Sequence, residues 1–177
     1  PAVFEEIEDF LDKTASPFAS VSVLNAPNGT PLYDRMKSEG RLGEDFRGFW
    51  HLTSNIIPKQ LDPEELYAGQ KRLCRTLYEP EQFERRMIGW LKNVQYFPDS
   101  YSTRKKNLFR MVLIMKIFRH FTLRVPAPVR RMFWSILRET WRIDPRLISR
   151  AVSMLVQYWH YYDFYHKTSV ETTGSDG

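Results

Sequence analysis

The sequence predicts a mainly α-helical protein, a helical bundle-like domain of about five helices preceded by a short helix–strand–helix segment. Three observations predict this class. Apolar residues recur at helical spacing through most of the chain after residue 62. Proline-containing N-cap signals begin several of these stretches. One short stretch near the N-terminus alternates apolar with small polar residues, which is the period of a strand.

The N-terminal segment contains the only predicted strand. Residues 3–11 place apolar side chains at helical spacing and predict a short amphipathic helix. Residues 18–24 alternate valine with serine and predict a strand. Thr30 and Pro31 are typical of an N-cap and a first helical position, so a helix ending near Gly40 should follow. Because one strand cannot form a sheet alone, this segment should belong to a larger α/β layer.

Five helices are predicted after this segment. Asp62 and Pro63 form an N-cap signal with acidic residues in the first turn, and Asp144 and Pro145 repeat it. The predicted helices span about 62–80, 81–95, 103–123, 129–141 and 144–166. The predicted domain organisation is 1–42, a connecting segment 43–61, a helical domain 62–167 and a disordered tail 168–177.

Cysteine and histidine content limits the chemistry of the chain. Cys74 is the single cysteine, so the chain cannot form an internal disulfide or hold a multi-cysteine zinc or iron–sulfur site. We therefore expect a reducing compartment and a cytoplasmic location, with the inner face of the membrane as the alternative place. No metal site is expected, because the four histidines show no ligand spacing. No nucleophile motif supports a self-contained enzyme, so we expect the chain alone to be non-catalytic.

Two stretches resemble one family. Residues 23–33, with the run Leu-Asn-Ala-Pro-Asn-Gly-Thr-Pro, and residues 38–42 resemble the end of the radical S-adenosylmethionine (radical SAM) barrel, most closely in the cobalamin-binding subgroup. Residues 49–61, Phe-Trp-His-Leu-Thr-Ser-Asn-Ile-Ile-Pro-Lys-Gln-Leu, resemble the opening of the uncharacterised helical domain that follows this barrel. The resemblance continues in 77–80, 83–86 and 90–91.

The resemblance implies a parent enzyme with several cofactors. Such an enzyme binds a four-iron, four-sulfur cluster through a CxxxCxxC motif, cleaves S-adenosylmethionine and carries cobalamin; many members are methyltransferases. This sequence has no CxxxCxxC and begins at Pro1 rather than Met, so we expect a non-catalytic piece of a longer protein. Its partners would be the upstream domains and a small-molecule or lipid substrate. Its role would be substrate binding, capping of the barrel or assembly.

The same resemblance assigns a cofactor role to the end of the predicted strand. The last barrel strand of the family lies near the adenine of S-adenosylmethionine, so Leu24 and Ala26 become candidate cofactor-binding residues. Gly29 joins them because it lies in a turn that precedes a helix start. The alternative is a simple turn between strand and helix, since neither phosphate-binding glycine motif is present.

Substrate contacts are predicted in the connecting segment. His51, Asn55 and Lys59 are polar residues interleaved with aromatic and aliphatic ones, which is typical of a loop that lines a cavity. Asn55 could hydrogen-bond a substrate, and His51 could move a proton near neutral pH. The alternative is a buried connection whose polar side chains satisfy the backbone.

Positive charge is concentrated in one part of the chain. Residues 101–150 contain 13 basic and 2 acidic side chains, a net charge of +11. The interpretations, in order of preference, are a core helix with a solvated charged face, an anionic membrane surface or lipid, nucleic acid, and a partner subunit. The alternative function is thus an interaction module that binds anionic surfaces through residues 104–150.

Residues 158–166 are strongly aromatic, and we expect them to pack against the absent barrel or another subunit.

Overall fold

The computed structural model describes residues 2–43, 54–94 and 108–171, and the regular structure in these ranges is helical. The predicted mainly α-helical class is confirmed. The helices are α1 (Ala2–Lys13), α2 (Pro31–Ser38), α3 (Pro63–Leu77), α4 (Pro80–Asn93), α5 (Leu108–Leu123), α6 (Ala127–Ile143) and α7 (Ile148–Glu171), with one 3-10 turn (Pro145–Leu147) before α7. Helix α7 continues beyond its predicted end near residue 166. The predicted start of α5 at 103, and residues 172–177 of the predicted tail, lie outside the described residues.

The N-cap signals act as the sequence predicts. The backbone N–H of Tyr33 donates to the Thr30 hydroxyl at 3.2 Å, ahead of the proline that begins α2. The backbone N–H of Glu64 donates to the Asp62 carboxylate at 2.8 Å at the start of α3. These bonds satisfy N–H groups that have no partner inside the helix, and each cap of this kind stabilises a helix by about 1 kcal/mol.

The strand predicted for residues 18–24 is wrong. This segment is irregular, and it pairs with no strand in the described ranges. Side chains satisfy its carbonyls instead: Gln70 Nε2 donates to Val21 O at 2.8 Å, and Ser54 Oγ donates to Leu24 O at 2.6 Å. Alternation of valine and serine indicates an extended chain with two different sides, but a strand also needs a neighbour for its ladder of hydrogen bonds.

The chain folds into two compact units, of which the first contains Pro1–Phe10 and Ala19–Thr76. In this unit Leu42 and Ile56 form an isolated antiparallel bridge. Gly69 of α3 lies so close to the ring of Phe4 that a Cβ at this position would approach it to 2.2 Å. Glycine is therefore the residue that lets α1 and α3 come together. The predicted domain boundaries at residues 42 and 61 stay a prediction.

The second unit contains Leu11–Phe18 and Leu77–Gly177, and helix α6 lies at its centre. Helix α6 packs against α4, α5 and α7. Its buried face repeats at intervals of three and four residues: Val129, Met132, Phe133, Ile136, Leu137 and Thr140. Each large apolar side chain buried in this way contributes about 1.5–3 kcal/mol, so this face contributes several kcal/mol to the stability of the unit.

Aromatic side chains of α7 complete the core of the second unit. Tyr78 stacks on Tyr161, with ring centroids 4.8 Å apart, and on Tyr165 at 5.5 Å. Tyr158 packs against Phe83 at 4.3 Å and donates its hydroxyl proton to Tyr78 O at 3.1 Å. Burial raises the pKa of the Tyr158 phenol far above its usual range, so the hydroxyl stays a donor. Tyr158 therefore packs inside the chain, whereas the expectation that the aromatic run packs against a barrel or another subunit stays a prediction for its other residues.

Residues 11–18 belong to the second unit through a buried arginine. Arg86 of α4 has 3% of its side chain exposed, and its Nε donates to Ser16 O at 3.1 Å. Its Nη1 lies 3.7 Å from a carboxylate oxygen of Asp12. Phe18 adds its ring to the aromatic cluster of the same unit. A short N-terminal segment is thus held inside a unit that is otherwise built from residues after 76.

Candidate functional site

The two stretches that carry the family resemblance meet in the first unit. Asn55 binds both backbone groups of Ala26: its Oδ1 accepts from Ala26 N at 2.8 Å, and its Nδ2 donates to Ala26 O at 2.7 Å. The backbone N–H of Asn55 donates to Asn25 Oδ1 at 3.2 Å. Asn55 therefore binds the backbone of Ala26 through its side chain, and it binds the side chain of Asn25 through its backbone N–H.

Ser54 and Tyr67 extend these contacts to helix α3. The Tyr67 hydroxyl accepts from Ser54 N at 3.1 Å and donates to Ser54 O at 3.2 Å. Ser54 Oγ donates to Leu24 O and accepts from Ile56 N at 3.0 Å. The serine backbone is thus held from one side by α3 while its side chain holds the irregular segment on the other.

Gln70 is the deepest polar residue of this group. Its side chain is buried and donates to Val21 O, which the sulfur of Cys74 also approaches at 3.9 Å. Gln70 lies between Leu66 and Leu73 on the apolar face of α3, and that spacing is visible in the sequence. A glutamine at such a position indicates a buried amide with hydrogen-bond partners. We call the hydrogen bonds of Ser54, Asn55, Tyr67 and Gln70 with residues 21–26 the junction network.

The predicted cofactor-binding residues have different surroundings. Ala26 is completely buried, and its backbone is bonded to Asn55, whereas Leu24 is 67% exposed. Gly29 is exposed with φ of +80°, and the N–H of Thr30 donates to Pro27 O at 3.2 Å, which closes a turn around it. A positive φ at this position of a turn explains the glycine without a ligand. Adenine contact stays a prediction, limited to the Leu24 side chain and the Gly29 backbone.

The predicted substrate-binding residues are not brought together. Asn55 lies in the junction network, whereas the Lys59 ammonium is exposed and lies 3.3 Å from Glu39. Hydrogen bonds from Arg41 and then Lys59 hold the pKa of the Glu39 carboxyl below its usual range. His51 lies outside the described residues. Of the six candidates, the structure therefore places Leu24, Ala26 and Asn55 next to one another.

The junction network is built for positioning rather than for proton transfer. Its side chains are an alcohol, two amides and a phenol, which form neutral hydrogen bonds. In the ranges that the structure describes, histidine, cysteine, aspartate and glutamate form no group of three that could hold a metal ion. What this arrangement can do is fix the course of residues 21–26 and the orientation of the exposed Leu24 side chain.

Comparison with known families places the chain in one of them. The model of the family described as "Domain of unknown function (DUF4070)" matches residues 30–173, which is most of the sequence. The chain belongs to this family. The match begins at the N-cap of α2 and includes every later helix. No curated protein and no solved structure matches the chain.

Proposed function

We propose that this chain is a C-terminal accessory domain of a cobalamin-dependent radical SAM enzyme, with methyl transfer as the expected reaction class. The proposal rests on the resemblance of residues 23–33 and 49–61 to the end of that barrel and to the helical domain after it. The family match supports the second part of this resemblance, because it identifies an uncharacterised domain over the helical part of the chain. The domain itself would be non-catalytic.

The junction network is the observation that carries the proposal. Residues 24–26 come from the stretch that resembles the last barrel strand, and Ser54 and Asn55 come from the stretch that resembles the start of the helical domain. Direct hydrogen bonds between these stretches favour a domain that holds the edge of a barrel in place. Capping is therefore the role that we favour over assembly or substrate binding.

The cluster and cobalamin would be held by residues outside this chain. Three thiolates are needed for the cluster, and Cys74 is a single, buried thiol on the apolar side of α3. When bound, the cluster supplies the electron that cleaves S-adenosylmethionine. This chain's own contribution would be to hold residues 21–26 so that Leu24 faces the cofactor. We place the parent enzyme in the cytoplasm, because the single cysteine of this chain is typical of a protein in a reducing compartment.

The first test is the gene upstream of the Pro1 codon. We expect one open reading frame with a CxxxCxxC motif and a cobalamin-domain pattern. A start codon at Pro1 or immediately before it would refute the proposal.

A second test uses the whole enzyme, reconstituted without oxygen. Asn55→Leu removes both side-chain bonds to Ala26, and Asn93→Leu is the control, because Asn93 is an exposed amide that bonds only to Gly89 O in its own helix. We expect both variants to bind the cluster, as measured by visible absorbance, and Asn55→Leu alone to bind S-adenosylmethionine more weakly by calorimetry. Equal affinities in the two variants would contradict a capping role for the junction network.

A second candidate function is attachment to an anionic membrane surface. Helix α5 exposes Val112, Leu113, Ile114 and Met115 directly before Lys116, and this combination of apolar and basic residues suits a bilayer interface. None of the helices in the described ranges has the length and apolar character needed to cross a membrane. Co-sedimentation with vesicles of anionic lipid, lost at high salt, is the expected result. Absence of binding at low salt would eliminate this candidate.

A further inference from the structure

A cleft lies between α5 and α7, and all of its lining residues belong to the second unit. Its volume is about 300 Å³. Five residues of α5, Arg124 directly after it, and two residues of α7 line the cleft: Lys116, Ile117, Arg119, His120, Phe121, Arg124, Val156 and Trp159. This volume is at the lower end of the range for small-molecule sites, which is about 300–1,000 Å³.

The lining of the cleft is strongly cationic. Lys116 and Arg119 lie on α5, Arg124 follows the end of this helix, and the lining contains no carboxylate. These three side chains form no ion pair with any acidic residue in the described part of the chain. Like charges held this close repel one another, and a bound anion would remove that repulsion. Arginine and lysine together are the usual ligands of phosphate groups.

His120 gives a second, independent indication of a ligand. Its Nε2 is shielded from water and has no hydrogen-bond partner, although the ring is part of the cleft lining. The ring contacts Phe121 and Trp159 edge to face, with centroids 5.5 Å and 5.1 Å away. A buried ring nitrogen without a partner is unfavourable, and an acceptor oxygen in the cleft would satisfy it after a small turn of the ring.

The rest of the lining is an apolar wall. Ile117, Phe121, Val156 and Trp159 form this wall, and Leu113, one helical turn before Ile117, is 47% exposed on the same side of α5. A hydrated inorganic anion would use only the cations and would leave this wall in contact with water. A ligand with an anionic group and an apolar body would use both sides.

We propose that the cleft binds a phosphate monoester with an apolar chain. The phosphate lies between Lys116, Arg119 and Arg124, and the chain lies along Trp159 towards Leu113. This chemistry is shared by a monomeric alkyl phosphate and by the headgroup region of a phosphorylated lipid in a bilayer. The site does not depend on the proposed radical enzyme, because all of its residues lie in the second unit.

The test measures binding to the full chain by titration calorimetry. The probes are inorganic phosphate, butyl, hexyl and octyl phosphate below their micelle concentrations, octanol, and phosphatidylcholine vesicles with and without phosphatidic acid. We expect affinity for the alkyl phosphates to rise by up to three- to fourfold per methylene, as for a buried chain, and to exceed that for inorganic phosphate. Octanol should bind far more weakly than octyl phosphate.

Two pairs of substitutions locate the site. Arg119→Gln with Arg124→Gln should weaken binding of octyl phosphate by at least about tenfold. Arg131→Gln with Arg138→Gln is the matched control, because it removes the same charge from exposed positions of α6 outside the cleft. Trp159→Leu should weaken octyl phosphate but leave inorganic phosphate unchanged. Circular dichroism confirms that each variant is folded before it is titrated.

Each outcome decides the proposal. Loss of octyl phosphate binding in the cleft variant alone supports the site, and vesicle binding lost in the same variant identifies the bilayer as a source of the ligand. Equal loss in both double variants would show unspecific attraction to positive charge and would overturn the proposal. Binding to anionic vesicles without binding to monomeric alkyl phosphate would also overturn it, and would favour the exposed residues of α5 as a membrane surface.

Discussion

Replacement of Arg86 by methionine tests what holds the N-terminal segment in the second unit. Arg86 is almost fully buried, and it donates hydrogen bonds to the carbonyls of Ser16 and Leu77. Burial lowers the pKa of its guanidinium, while the Asp12 carboxylate acts in the opposite direction and favours the charged form. Methionine preserves much of the length of the side chain but removes every donor.

The cost follows from the groups that lose a partner. The buried carbonyl of Leu77 and the partly buried carbonyl of Ser16 each lose a donor, at about 1–3 kcal/mol apiece. Asp12 retains an ion pair with Arg85, so the lower part of this range applies. We expect Arg86→Met to lower the free energy of unfolding by about 3 kcal/mol. For a chain of this size that loss lowers Tm by roughly 6–12 °C.

Urea unfolding followed by circular dichroism measures this loss. Arg85→Met is the matched control, because Arg85 is the adjacent arginine, binds the same carboxylate and has 58% of its side chain exposed. An exposed pair of this kind contributes at most about 1 kcal/mol. If Arg86→Met were no more destabilising than Arg85→Met, the buried arginine would not hold residues 11–18, and the reasoning would be refuted.

Three further predictions concern stability. Asn55→Leu leaves a buried N–H and C=O without partners and should cost about 2–4 kcal/mol in urea unfolding, whereas a cost below about 1 kcal/mol would show that water replaces the amide. Gly69→Ala drives a Cβ into the ring of Phe4 and should lower Tm despite the better helix propensity of alanine; an unchanged or higher Tm would show that the ring moves freely. Hydrogen bonds from the side chain and then the backbone N–H of Arg146 hold the pKa of Asp144 below its usual range. The ionised carboxylate therefore stabilises the fold above about pH 4. This stabilisation is lost as the pH falls through the lowered pKa that Asp144 has in the folded protein. Asp144→Asn should therefore lose less stability than the wild type between about pH 6 and pH 3, and an identical loss would contradict the assignment.

The helices were predictable because their signals are local. Helix starts are fixed by contacts within one turn of the helix. The structure contains the two predicted caps, at Thr30–Pro31 and at Asp62–Pro63. The irregular structure of residues 18–24 was not predictable, because the alternation of valine and serine carries no information about a partner strand. Its carbonyls are satisfied by side chains distant in sequence, and no local pattern encodes such a pairing.

The candidate site was predictable only in part. The resemblance singled out Ala26 and the pattern of the connecting segment singled out Asn55, and the structure adds that they bind each other. Gln70 could have been found, since it interrupts the apolar face of α3 with a polar group. The cleft beside Trp159 could not have been found from sequence, because the positive charge of α5 is equally compatible with a solvated surface and with a binding site. The cleft is formed only when α7 packs against α5, and this packing is not visible in the sequence of α5.

The placement of residues 11–18 in the second unit also affects folding during synthesis. Phe18 leaves the ribosome early, but its ring partner Tyr161 is made about 140 residues later. At about 5–20 residues per second, the early segment waits roughly 7–30 s for the helix that encloses it. A cut between residues 76 and 77 would likewise separate the second unit from residues 11–18, so this unit should not fold correctly when it is synthesised from residue 77 onward.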